Sequence, residues 1–214
     1  MRHPREPIAS YSHAAGAIFF IAGTAYLVAL ARGSIMLSLS LVVYGLAAIF
    51  LFASSALYHA FKTGENESSV LRKLDHLAIF FMIAGTYTPV CYAYLEGGWF
   101  AGIIIAQWGL VLFGLFFKLL YLSAPRHLST GIYVLMGWIV VIPMHKLYAV
   151  MPGEILTLIA AGGVSYTVGA VIYAIKRPNP RPGVFGFHEM FHLFILAGAL
   201  LHFTAVAHIA RMNG

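Results

Sequence analysis

Charge is scarce in this chain. Asp, Glu, Lys and Arg make up 9% of its 214 residues, against about 25% in a soluble globular domain. A water-soluble fold of this size cannot cover its surface with so few charges, so composition excludes that class and leaves a membrane protein. Cysteine is almost missing as well: the single Cys91 excludes an intramolecular disulfide and any thiolate metal cluster. Apolar/polar alternation at period two does not recur at the length a membrane barrel requires, which argues against strands. There is no internal repeat and no low-complexity tract. The opening MRHPREPIASYSHAAG has no small-residue cleavage site and carries Glu6 and two prolines. The apolar run behind it is long enough to span, so it reads as a retained helix and not as a signal peptide.

What the chain has in abundance is apolar residues, 61% of the total. Crossing a hydrocarbon core of about 30 Å takes roughly 20 of them as a helix. Seven runs qualify, at about 12–31, 36–61, 75–95, 99–121, 128–149, 153–175 and 187–210. The expected fold is therefore an all-α integral membrane protein, a single seven-transmembrane helix bundle over residues 1–214. Its breaks carry the usual punctuation, including Glu96-Gly97-Gly98, Met151-Pro152-Gly153 and the RPNPRPG of 177–183, which proline keeps from being helical. Small residues such as Gly16, Gly109, Gly114, Gly162, Gly163 and Gly169 fit close helix packing.

Lysine and arginine predict the orientation. Arg2, Arg5, Lys62, Arg72, Lys73, Lys118, Arg126, Lys176, Arg177 and Arg181 fall on the N-terminal side of the expected bundle, and only Arg32, Lys146 and Arg211 on the other. This positive-inside bias predicts a cytoplasmic N-terminus and a C-terminus outside. It also accounts for the +6 net charge through topology and anionic lipid, with no nucleic-acid partner.

Ionisable groups inside a membrane are costly, normally face the bundle interior and mark candidate sites. In FGFHEMFHLF (185–194), His188 and His192 stand four apart, on one helix face and about 6 Å apart along the axis. With ten histidines in the chain, roughly half a pair at this spacing arises by chance, so spacing alone fits two ligands of one metal or a polar helix contact. The predicted topology adds depth. His59 closes the second run at the same membrane face, Ser55 lies one turn before it, and Asp75 lies on the first turn of the third. Three histidines and a carboxylate at one depth suit a zinc site with an open position for water, although the donor set also suits iron or manganese. His202, about 15 Å deeper than His192, is too far to share that ion. His76 turns about 100° from Asp75, toward headgroup or loop. Glu6 and His13, before and at the start of the first run, fit a supporting role or a plain interfacial one.

Ser55-x-x-x-His59, Asp75 sixteen residues on, and His188-x-x-x-His192 opening the seventh run resemble the progestin and adipoQ receptor superfamily. GTYTPV (Gly85 to Val90) and the spacing of Glu6 and His13 are similar to its bacterial hemolysin III branch, and the resemblance covers the whole chain. It implies a Zn²⁺ ion held by the counterparts of His59, His188 and His192. The counterpart of Asp75 would hold the reacting water, with that of Ser55 beside it. The adiponectin receptors and alkaline ceramidases in this superfamily imply amide hydrolysis of a lipid, here in a bacterial cytoplasmic membrane. The leading expectation is thus a zinc-dependent intramembrane hydrolase of a lipid amide or ester, with Asp75 and Ser55 in the catalytic set and a membrane lipid as substrate or ligand. A membrane sensor or regulator with a structural zinc is the alternative. A pore-forming cytolysin comes third, because a pore needs a polar stripe across the bilayer and the polar residues here crowd at one end.

Overall fold

The computed structural model describes residues 6–31, 33–64, 69–122, 124–181 and 184–214. Arg2, His3, Arg5 and Arg32 of the charge and histidine readings, and Pro182 and Gly183 of the RPNPRPG segment, lie outside these residues. Among the described residues the chain is all-helical: α1 (Pro7–Leu30), α2 (Ile35–Phe61), α3 (Val70–Tyr94), α4 (Gly97–Leu120), α5 (Arg126–Trp138), α6 (Met144–Val150), α7 (Gly153–Ile175) and α8 (Phe187–Asn213), with a 3₁₀ turn at Ile139–Val141 after α5. Six are long and apolar enough to cross a membrane, and the bent α5–α6 pair makes a seventh if counted as one span. The protein is a multi-span helical membrane protein.

Local chemistry explains where the helices start, and two of them start five residues before the expected position. Pro7 opens α1 five residues early, where its fixed φ and missing N–H suit a first turn. Ser69 caps α3 by accepting from the Arg72 N–H at 3.2 Å, so the helix begins at Val70 and Asp75 sits in its second turn, not its first. Arg72 and Lys73 accordingly belong to a helix and not to a loop. Glu189 accepts from the Gly186 N–H at 2.7 Å and caps the start of α8.

The expected helix over 128–149 is broken. Its two parts meet at 51°, at Pro143, which cannot donate to the helical ladder. A break inside a bilayer needs substitutes for the lost hydrogen bonds, and neighbouring helices supply them. In an unbroken helix the Met136 carbonyl would accept from Val140 N–H. Here Gln107 Nε2 of α4 donates to Met136 O at 3.0 Å. The Tyr87 hydroxyl of α3 donates to Gly137 O and accepts from Val140 N–H, each at 2.7 Å. The GTYTPV segment therefore holds the break open through its tyrosine.

Apolar surface gives no net drive for helices to associate in lipid, so packing and small residues do that work. The main core joins α1, α2, α3 and α8 around Phe20, Tyr44, Phe52 and Val206. Phe20 and Phe52 stack with ring centres 5.3 Å apart. Beside this core, between α3, α5, α7 and α8, lies a cavity of about 1440 Å³.

Candidate metal centre

α2 delivers His59 in its last turn, and α8 delivers His188 and His192 in its first two, so the close of one helix faces the opening of another. The ligand-capable ring nitrogens of these three residues all lie within 4.8 Å of one another. Nε2 of His188 and Nε2 of His192 are 3.0 Å apart. His59 is 1% exposed and His192 3%, while His188 is partly open.

Each buried histidine is oriented from behind. Glu6, at the mouth of α1, holds His59 Nδ1 with Oε2 at 2.5 Å and Lys62 Nζ with Oε1 at 2.5 Å. An ionised carboxylate only accepts, so His59 Nδ1 carries the proton and Nε2 keeps its lone pair. That Nε2 is fully buried and has no hydrogen-bond partner among the described residues. Burial pushes the Glu6 carboxyl up, but its hydrogen bonds to His59 and Lys62 outweigh this and hold it at about 2. His192 Nδ1 lies 2.8 Å from His13 Nε2. With the proton on that Nδ1, the His192 Nε2 lone pair also turns toward His188 and His59. A donor nitrogen that is buried, correctly tautomerised and left without a partner fits a metal ion, since a second N–H contact behind a ligand is the usual device for aiming it.

The other expected site residues line the same cavity. Ser55 is buried in its wall, and Asp75 borders it without joining the histidine cluster. His76 borders it too, in place of a lipid or loop contact, with Nδ1 2.8 Å from Arg72 O. His202 lies deeper, its Nε2 3.1 Å from Ile159 O, on the cavity wall and away from the cluster. Of the two roles expected for Glu6 and His13, the structure gives the supporting one. Glu6 and His13 are direct partners of the candidate ligands, and the early helix start at Pro7 is the signal that brings them into reach. Lys118, counted only among the charges of the N-terminal side, is in the last turn of α4 and 2% exposed.

The sequence profile of the family described as "Haemolysin-III related" matches residues 1–203. The chain is 32% identical over 205 residues to the hemolysin-3 homolog of Bacillus subtilis, covering 94% of this chain and 93% of that one. It is 32% identical over 207 residues to hemolysin-3 of Bacillus cereus, covering 94% and 90%. A plant relative, the heptahelical transmembrane protein ADIPOR2 of Oryza sativa subsp. japonica, is 31% identical over 186 residues, covering 77% and 79%.

Proposed function

The chain belongs to the haemolysin-III related family, and from that premise we propose that it is a zinc-dependent intramembrane hydrolase of a lipid amide or ester. The observation that carries this reading is the convergence of three histidines on the wall of a cavity whose other walls are largely apolar. At about 1440 Å³ it exceeds the roughly 300–1,000 Å³ of ordinary small-molecule pockets and suits a lipid chain. His59, His188 and His192 hold the ion, which when bound supplies Lewis acidity, polarising a carbonyl and acidifying water. Asp75 takes or orients the proton of the attacking water, and the Ser55 hydroxyl fixes that water or the carboxylate. Ser55 is not the nucleophile, because its only basic neighbours are the metal ligands. The lysine and arginine bias supports a cytoplasmic N-terminus in a bacterial plasma membrane, which puts the centre at the inner face.

The test uses the full chain in a neutral detergent. Metal analysis should find about one zinc per chain, and ceramides or acyl lipids should be cleaved. Asp75→Ala should keep the zinc and lose at least about a hundredfold in turnover, the scale of a missing general base. Stoichiometric zinc with no cleavage of any of these lipids sinks the hydrolase.

One observation favours a second reading. The ligands and their supports come from α1, α2 and α8, so an ion here also ties three helices, as a structural zinc in a sensor would. Asp75 discriminates: a structural site keeps its biological output in Asp75→Ala.

A further inference from the structure

Lys118 lies in the last turn of α4, two residues and about 3 Å of rise from its end. A lysine so placed ordinarily snorkels out to the headgroups. This one turns inward: it is 2% exposed and borders the cavity. Its Nζ donates to Ser129 Oγ of α5 at 2.6 Å and sits 5.0 Å and 5.8 Å from the Phe117 and Tyr133 ring centres. Among the described residues no carboxylate comes within 4.0 Å of it.

Two neighbours add positive potential, while the nearby carboxylate, Asp75 of α3, lies beside His76 and makes no ion pair with Lys118. Ser129 belongs to the first turn of α5, the positive end of that helix dipole. Arg72 of α3, also on the cavity wall, is near enough for its charge to act on Lys118. An ammonium carries three donors, of which Ser129 takes one, and a buried charge in a membrane calls for a partner. Ring contacts compensate only in part. The complement the site lacks is an oxyanion. At this depth, near the end of a spanning helix, the bilayer itself offers phosphate, and below it the cavity continues between apolar residues such as Met82, Ile83 and Val134.

We propose that Lys118 and Ser129 bind the phosphate of a phospholipid whose acyl chain extends into the cavity. Only the glycerol backbone separates the phosphate from the acyl esters, so an anchored headgroup leaves an ester inside the cavity that the histidines also line. This rests on reading the cavity as a lipid site, and it narrows the substrate class to phosphate-bearing lipids.

The test measures retention by native mass spectrometry of the zinc-loaded full chain in a neutral maltoside detergent. Three probes are used: dioleoyl phosphatidylglycerol, dioleoylglycerol with the same chains and no phosphate, and inorganic phosphate. The phospholipid should bind at least about tenfold more tightly than the diacylglycerol. Lys118→Met should remove that preference without changing diacylglycerol binding, and Lys118→Arg should keep it. If the methionine variant is polydisperse, Lys118→Gln serves in its place. Equal binding of the two lipids, or a preference that survives loss of the lysine, overturns the assignment. A preference lost in His59→Ala but kept in Lys118→Met puts the phosphate on the metal and overturns it too. Inorganic phosphate binding as tightly as the phospholipid overturns the lipid as its source. The two readings fail separately: Lys118-dependent binding with no turnover of any lipid defeats only the hydrolase, and cleavage of ceramide with no phospholipid preference defeats only this site.

Discussion

The two sides of the cavity are built on opposite terms. On the α1–α2–α8 side, helices meet through glycines with no room to spare. A Cβ on Gly16 would stand 2.8 Å from the Phe52 ring, and one on Gly23 would stand 2.7 Å from Phe203. On the facing side, Gly131 and Gly137 of α5 have open space where a Cβ would go, and α7 is open at Gly163 although Gly162 and Gly169 pack closely on α8. That wall is broken at Pro143 and held by side-chain hydrogen bonds from Tyr87, Gln107 and Lys118. Close packing keeps three imidazoles aimed at one point, as metal ligation demands. A wall held by a few polar ties can give way to a lipid entering from the bilayer.

The largest effect expected on the tight side is loss of metal. His59→Ala removes the candidate ligand whose Nε2 has no hydrogen-bond partner among the described residues, so metal analysis should fall from about one zinc per chain to a small fraction of it. The stabilisation that added zinc gives the wild-type protein in a thermal melt should vanish with it. A variant that keeps full zinc content would mean that the histidines do not converge on an ion. Glu6→Gln is milder. It leaves the ligands in place but replaces the carboxylate that fixes His59 and Lys62. Zinc affinity, read by competition with a chelator, should drop about 10–100-fold.

How much of this was legible from residue order differs between the two sides. The expectation that His59, His188, His192 and Asp75 share one membrane level needed only run lengths and charge bias; the structure brings the three histidines together and leaves Asp75 elsewhere on the wall of the same cavity. Depth follows from counting along a helix. Which neighbour stands behind a ligand does not, because it depends on where a helix starts and how it rotates. Starting α1 at 12 left Glu6 and His13 without a clear role, although Pro7 is a start signal at the right place. The broken wall was missed for a related reason: the run over 128–149 is apolar on average, and mean hydropathy does not register one Pro143. Lys118 was counted only toward orientation, because residue order does not tell whether a lysine near a helix end turns to the headgroups or into the bundle. Of the six glycines assigned to packing, Gly16, Gly114, Gly162 and Gly169 do meet a neighbour closely, whereas Gly109 and Gly163 do not. Composition shows that small residues are present and says nothing about which way they face.

Tyr87→Phe tests the loose side through its main tie. The ring keeps its packing, but the Val140 N–H and the Gly137 carbonyl lose their shared hydroxyl. Leaving such groups unsatisfied costs about 1–3 kcal/mol, and lipid offers them no replacement. Unfolding in detergent should shift by that amount while zinc content stays unchanged. Zinc lost in parallel would mean that the two sides are one cooperative unit, against the division drawn here.

The smallest expected effect separates the two sides most directly, because the same substitution is made on each. Gly16→Ala adds one methyl group against the Phe52 ring, which stacks on Phe20 and is itself fully buried. The ring cannot retreat without disturbing that stack, so overpacking should cost about 1–3 kcal/mol. His13 lies one turn before Gly16, with its ring 5.0 Å from Phe52, so any shift there also reaches the support of His192. Gly163→Ala adds the same methyl into open space on α7. There the helix preference of alanine over glycine, about 1 kcal/mol, acts without opposition, and the variant should melt at or above the wild-type temperature. Opposite signs in paired thermal melts would support a tight wall facing an open one. Equal destabilisation would mean that the Gly163 face of α7 packs as closely as α1 does at Gly16, and the cavity would then have to open elsewhere to admit a lipid.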